Sequence, residues 1–190
     1  MTFLNALLVS FGVIFVAELG DKSQLMALTF ATRFKTLPVL VGITVATAVV
    51  HAISVLAGAA LGAAIPTRVL NVAAAVAFVG FGLWTLRGDR LSESEEQRAA
   101  QPARHAIVAV AVVFFLAELG DKTMLATITL AARSDQWGTW AGSTLGMVAA
   151  DALAIVVGRQ LGSRLPERAI RIGAAVSFFV FAVLLLAGVG

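Results

Sequence analysis

Apolar residues run along this chain in six long blocks, at about 3–32, 37–64, 69–86, 106–132, 138–158 and 169–188. A helix needs about 20 such residues to cross roughly 30 Å of hydrocarbon. The apolar positions are continuous and do not alternate in segments of about ten, so helices are expected and an outer-membrane barrel is not. The predicted fold class is an all-α membrane protein with six transmembrane helices. The first block is expected to be a retained helix and not a cleaved leader, because no Lys or Arg precedes it and Glu18 follows where small residues would mark a cleavage site. The one hydrophilic stretch, about Arg87 to His105, carries Asp89, Arg90, Glu93, Glu95, Glu96, Arg98 and Arg104 and reads as a solvated, mobile tether.

The two halves on either side of that tether are copies. Without a gap, position n corresponds to position n+100: Ala17 to Lys22 and Ala117 to Lys122 both read AELGDK. The register continues through Arg33 and Arg133, Gly42 and Gly142, Gly58 and Gly158, Gly62 and Gly162, Pro66 and Pro166, and Arg68 and Arg168. Shared glycines and prolines punctuate backbone, so this is a duplicated unit and not merely shared hydrophobicity. An odd number of spans per copy makes the second enter the membrane from the opposite side. The expected architecture is two inverted-topology three-helix repeats, 1–90 and 105–190, joined by a cytoplasmic linker at 91–104 into one transport domain. Secondary transporters are commonly built this way, with the substrate site near the midplane where the repeats meet.

Composition strengthens the membrane reading. The chain has 190 residues, 59% hydrophobic and only 13% charged, with a mean hydropathy of +0.94. Soluble domains carry about 25% charged residues, so a soluble enzyme is excluded. The absence of cysteine removes disulfides, iron–sulfur clusters and thiolate metal sites. A formal charge of +3 does not point to nucleic acid, because the basic residues flank apolar runs and form no patch. Arg33 and Lys35, then Arg87, Arg90, Arg98 and Arg104, then Arg159, Arg164, Arg168 and Arg171 fall between blocks 1 and 2, 3 and 4, and 5 and 6. The other side carries Arg68 and Arg133, so basic cytoplasmic loops place both termini outside the cytoplasm.

Against this background Glu18, Asp21, Glu118, Asp121 and Asp151, with Lys22 and Lys122, lie inside apolar blocks. A carboxylate at the centre of a bilayer costs at least about 2.5–3.5 kcal/mol on insertion scales, so such a cluster needs a role. On a continuous helix Glu18, Asp21 and Lys22 share one face, and Glu118, Asp121 and Lys122 repeat the arrangement. If the two copies meet, four carboxylates converge. Oxygen-rich sites suit hard divalent cations such as Ca²⁺, Mg²⁺ and Mn²⁺. Acids so closely set repel one another and take up protons when the metal leaves, which is the coupling a cation/proton exchanger requires. The alternative is a structural charge network pinning two helices together.

Lys22 and Lys122 read either as ion-pair partners of the acids or as groups filling the empty site. Ser23, Gln24, Thr123, Thr127 and Thr129 offer neutral oxygens, against the ordinary use of membrane hydroxyls in bonding to backbone. Met26 and Met124 offer soft sulfur or plain packing. Gly20 and Gly120 permit a bend or a close approach. His51 and Asp151 occupy equivalent positions and are candidates for proton coupling, with a packed polar residue as the rival. His105, at the linker edge, is expected to be solvated. The Gly58–Gly62 and Gly158–Gly162 spacings read as close helix packing.

The sequences Glu18-Leu19-Gly20-Asp21-Lys22-Ser23 and Glu118-Leu119-Gly120-Asp121-Lys122-Thr123 resemble the mark of the Mnx/Gdt family of manganese and calcium cation/proton antiporters, within the calcium/cation antiporter superfamily. That mark is Glu-x-Gly-Asp-(Lys/Arg)-(Ser/Thr) in the first helix of each of two inverted repeats, and the likeness covers essentially the whole chain. It implies export of Mn²⁺, with Ca²⁺ as the alternative, from the cytosol in exchange for protons. Glu18, Asp21, Glu118 and Asp121 would be the metal ligands. No cofactor is implied, the metal being the cargo. The compact form with a short linker looks like the bacterial branch, hence the cell membrane, and a homodimer is compatible with the chain. From another class, an intramembrane metal-dependent enzyme also wants buried acids, but only His51 is available as a further ligand within a block. No phosphate-binding Gly-rich Lys motif occurs, so ATP is not the expected energy source.

Overall fold

The computed structural model describes residues 2–87, 91–100, 105–161 and 167–187. Among them the regular elements are all helices: α1 (Phe3–Glu18), α2 (Lys22–Arg33), α3 (Thr36–Ala64), α4 (Thr67–Arg87), α5 (Glu93–Ala100), α6 (Ala106–Glu118), α7 (Lys122–Ala131), α8 (Gln136–Leu161) and α9 (Glu167–Leu186). Asp89, Arg90, Arg104, Gly162, Arg164 and Pro166, named above, lie outside the described residues. Three helices, at Thr36–Ala64, Thr67–Arg87 and Gln136–Arg159, are long and apolar enough to cross a membrane. α1 and α2 pass together as a pair bent by 75°, while Ala106–Glu118 and Ile170–Leu186 are shorter apolar helices. Large apolar side chains such as Leu37, Leu56, Val76 and Val183 stand exposed on the outer helix faces. Such a surface is stable against lipid and not against water.

Two of the six expected blocks are not single helices. The first breaks after Glu18 and the fourth after Glu118, and the cause is local. Leu19 has φ −64° and ψ 118°, Gly20 has φ +76°, and the Asp21 amide donates to the Glu18 carbonyl at 3.1 Å. These are the features of a type II turn, whose third residue needs a positive φ and therefore glycine. Leu119 (φ −65°, ψ 114°), Gly120 (φ +80°) and the 3.2 Å bond from the Asp121 amide to the Glu118 carbonyl repeat it. The shared helix face expected for Glu18, Asp21 and Lys22 is thereby corrected: Glu18 ends one helix, and Asp21 caps the next.

The halves interleave. α1 packs mainly on α8 and α6 on α3, while α2 lies against α8 and α7 against α3. α4 packs on α9. Every one of these contacts maps onto its counterpart when the halves are exchanged. Close approach of α1 to α8 depends on glycine: a Cβ at Gly138, Gly142 or Gly146 would strike the backbone of Phe3, Leu7 or Phe11 respectively. These residues are four apart on both helices, so one row of small residues faces one row of the partner's carbonyls. Gly58 and Gly62 let α3 approach the end of α7 in the same way, at the Ile128 and Ala132 carbonyls, as their spacing predicts. Equivalent residues also meet across the molecule. The Phe78 and Phe178 rings lie 5.9 Å apart, flanked by Phe78–Phe181 at 6.1 Å and Phe81–Phe178 at 5.9 Å, and Thr47 Oγ1 lies 3.4 Å from Met147 Sδ.

The linker is not wholly a solvated tether. α5 packs on α2 and α6, Ala99 is fully buried, and Arg33 Nη1 donates to the Ala99 carbonyl at 2.8 Å. Its polar sequence hides a small apolar face, too short to register as periodicity. The basic residues read as loop positions mostly sit on helix ends: Arg33 and Arg87 in the last turns of α2 and α4, Arg159 near the end of α8, Arg168 and Arg171 at the start of α9. At a C-terminal end a cation meets unpaired carbonyls, and Arg159 Nη2 donates to the Ala31 carbonyl of α2 at 2.7 Å.

Substitution of Gly142 by Ala is expected to lower the stability of the detergent-solubilised protein by about 1–3 kcal/mol through overpacking against backbone that cannot yield. Gly12→Ala, whose added Cβ meets nothing within 4 Å, is expected to leave the thermal midpoint unchanged or raise it; equal midpoints for both variants would refute the close α1–α8 approach.

Candidate cation-binding site

The two type II turns bring the ends of four helices together, α1 and α6 by their C-termini and α2 and α7 by their N-termini. Glu18 and Glu118 project from the former pair, and Asp21 and Asp121 occupy the N-caps of the latter. All four acids are almost completely buried. One carboxylate oxygen each from Glu18, Glu118 and Asp121 lies within 4.8 Å of the others. Three acids therefore come together, and the Oδ1 of the fourth, Asp21, carries the Lys122 ammonium.

The lysines pair across the halves. Lys122 of the second half binds Asp21 of the first, and Lys22 of the first lies 3.5 Å from Asp121 Oδ1 of the second. Crossed pairing supplies Asp21 and Asp121 each with an opposite charge, without which the desolvation cost would be several kcal/mol per ion. The pairs are unequal. Lys122 is 2% exposed, whereas the Lys22 side chain is 17% exposed and also reaches Glu95 Oε1 of α5 at 3.2 Å.

Hydroxyls orient the two glutamates. Ser23 Oγ donates to Glu18 Oε2, and Thr123 Oγ1 donates to Glu118 Oε2 at 2.9 Å. The remaining oxygens, Glu18 Oε1 and Glu118 Oε1, are buried with no hydrogen-bond partner among the described residues. A buried acceptor so left is costly unless a cation or proton meets it. Three convergent carboxylates, two of which keep an oxygen without a hydrogen-bond partner among the described residues, suit a hard divalent cation.

The residues around the turns divide. Gln24 Oε1 accepts from the Gly20 amide at 2.9 Å and its Nε2 donates to the Ala150 carbonyl at 3.0 Å, so it braces the first turn. Met124 Sδ takes the same place in the second, 3.2 Å from the Gly120 amide. Met26 is packed in the apolar core, and Thr129 bonds back to the Leu125 carbonyl; neither points to a ligand. The Thr127 hydroxyl is buried without a partner among the described residues. His51, on α3, is buried with Nδ1 3.4 Å from Thr144 Oγ1. Asp151, on α8, is fully buried, and neither of its oxygens finds a hydrogen bond among the described residues. His105 is exposed, as expected.

Glu95 is the participant that sequence reasoning assigned to the tether. Its only local signal is the spacing Ser92-x-x-Glu95, a helix-start capping box: the Ser92 amide donates to Glu95 Oε2 at 2.8 Å and the Glu95 amide to Ser92 Oγ at 3.3 Å. Burial pushes the Glu95 carboxyl up, but the Ser92 hydrogen bonds and the Lys22 ammonium outweigh it and hold it below the ordinary carboxylate range.

A family model described as divalent cation/proton antiporter GDT1 matches residues 6–93 and 106–189, which include both copies of the motif. The chain belongs to this family. Relatives of the GDT1 type span its length. A protein of Vibrio cholerae named "Putative manganese exporter" is 31% identical over 182 residues, covering 94% of this chain and 89% of its own length. A GDT1-like protein of Synechocystis is 32% identical over 189 residues, covering 90% and 91%. Protein PAM71, chloroplastic, of Arabidopsis thaliana is 33% identical over 205 residues, covering 94% of this chain and 55% of its own. No solved structure gives a significant match. The GDT1 family is one of membrane transporters, so the reading as an intramembrane enzyme falls away and the metal is cargo and not cofactor.

Within this GDT1 member, Lys122→Met is expected to cost about 3–5 kcal/mol, the usual result of stranding a buried charge. Adding Asp21→Asn should recover a large part of that loss in chemical or thermal unfolding. A double variant as unstable as the sum of the two single variants would dismiss the crossed pair.

Proposed function

We propose that this antiporter exports Mn²⁺ from the cytosol in exchange for protons, with Glu18, Glu118 and Asp121 as cation ligands. The observation that carries the reading is the convergence of their three carboxylate oxygens within 4.8 Å. Manganese is favoured over other hard cations by the name of the Vibrio cholerae relative, "Putative manganese exporter". Six crossings are part of the proposal, two of them the broken pairs α1–α2 and α6–α7, arranged as inverted repeats 1–90 and 105–190 around the linker 91–104 in one transport domain. Support comes from the exchange symmetry of the helix contacts and from Phe78 meeting Phe178 and Thr47 meeting Met147. The basic residues between alternate crossings support a cell-membrane orientation with both termini outside the cytoplasm.

Pseudosymmetry also assigns Asp21 a part. In the arrangement described here it is occupied by Lys122, while Asp121 stands with the glutamates; exchange of these two environments makes Asp21 a ligand when Lys122 releases it. Ser23 and Thr123 then hold Glu18 and Glu118 in place in both states. Asp151 is the proton-coupling acid of this scheme, a buried carboxylate without hydrogen-bond partners among the described residues, next in sequence to Ala150, whose carbonyl Gln24 ties to the first turn. His51, its positional equivalent, is the second candidate for carrying protons.

In proteoliposomes, Mn²⁺ flux is expected to move protons in the opposite direction and to accelerate when the pH gradient is inward. Flux indifferent to that gradient would mean a uniporter, and parallel runs with Ca²⁺ and Mg²⁺ rank the cations. Glu18→Gln and Asp121→Asn should each abolish flux, and with it metal tolerance in cells, while the protein still inserts. Wild-type tolerance in both would remove these acids from the mechanism.

A further inference from the structure

Lys22 links the doubled motif to the linker helix α5. Its ammonium lies between two carboxylates, 3.2 Å from Glu95 Oε1 and 3.5 Å from Asp121 Oδ1. Glu95 is built to receive it. The Ser92 amide and hydroxyl, each at 2.8 Å, hold Oε2 and leave Oε1 turned to Lys22. α5 has a separate anchor in the bond from Arg33 to the Ala99 carbonyl, so its docking does not rest on Glu95 alone.

A divalent cation at Glu18, Glu118 and Asp121 and the Lys22 ammonium compete for the same Asp121 carboxylate. The ammonium is repelled by the arriving cation, yet it is largely buried and cannot be left without a counter-ion at low cost. We propose that Glu95 is a positioning residue of the cation site, holding Lys22 off Asp121 while the cation is bound and sharing it with Asp121 when the site is empty. This rests on the assignment of Asp121 as a cation ligand. Glu95 remains ionised at neutral pH, since Ser92 and Lys22 outweigh the effect of burial.

The test is the Mn²⁺ concentration dependence of proton-coupled flux in proteoliposomes for the full-length chain and its Glu95→Gln, Glu95→Asp, Arg33→Ala and Glu18→Gln variants. Glu95→Gln is expected to raise KM about five- to tenfold, the size of one partly buried ion pair, with kcat within about twofold. Glu95→Asp, which keeps the charge, should recover most of the affinity. Arg33→Ala, which loosens α5 without touching Lys22, should leave KM unchanged. A wild-type KM for Glu95→Gln alongside an inactive Glu18→Gln overturns the role of Glu95 alone. A matching rise in KM for Arg33→Ala reduces Glu95 to docking α5 and also overturns it. Undiminished flux in Glu18→Gln removes the cation site itself. If Glu95→Gln fails to insert, Ser92→Ala, which removes the hydroxyl that holds Glu95 Oε2, takes its place: a rise in KM that Arg33→Ala does not share supports the proposal, and wild-type KM in both rejects it.

Discussion

A buried carboxylate in a membrane protein must be matched by a cation, a proton or hydrogen-bond donors, and this requirement governs how the two halves of the molecule meet. The motif places an acid at the end of one helix, an acid at the cap of the next and a lysine beside it. Lys122 reaches over to Asp21 and Lys22 to Asp121. Neither half is balanced alone, because each lysine neutralises the other half's acid. The charge pairing therefore does for assembly what apolar burial does in a soluble core, since lipid tails give helices no hydrophobic reason to associate.

Two glycine-dependent features make that pairing reachable. The type II turns at Gly20 and Gly120 stop α1 and α6 in mid-course, so polar backbone and acidic side chains are presented where a continuous helix would offer a closed apolar cylinder. The unpaired backbone at such breaks is tolerated because neighbours bond to it; Gln24 and Met124 reach back to the glycine amides. The row Gly138, Gly142 and Gly146 then brings α1 and α8 close enough to set the first turn beside Asp151 and its neighbours. Small residues act here through what they leave open.

The pseudosymmetry is broken in ways that matter chemically. Lys122 is committed to Asp21, whereas Lys22 is divided between Asp121 and the linker. His51 stands where the other half has Asp151, and Gln24 where it has Met124. A Cβ on Gly20 would touch Ile170 and Arg171 of α9, while one on Gly120 meets nothing within 4 Å. A duplicated unit in two unequal environments is the form expected of one state of an alternating-access cycle, in which the environments are exchanged. In the proposed cycle the exchange is tied to charge, and the crossed ion pairs, like Asp151, are groups able to tie it.

The chain's chemistry was legible from sequence because it is local. Hydropathy named the solvent, the n+100 register exposed the duplication, and the six-residue motif pointed to the family. The same local reading allowed a bend at Gly20 and Gly120 but kept each block as one helix: helical periodicity extends through both glycines, whereas the backbone there adopts a positive φ that ends the helix. It failed at Glu95, whose role depends on α5 folding back against α2 over a separation in sequence that no pattern encodes. Sequence by itself determined which charges are buried and that they come in two copies, since the cost of burial depends on residue type and flanking hydropathy. Which acid each lysine neutralises, and that Glu18, Glu118 and Asp121 converge, was decided by tertiary structure alone, because opposite charges choose among partners by distance and only the packing of interleaved helices sets the distances.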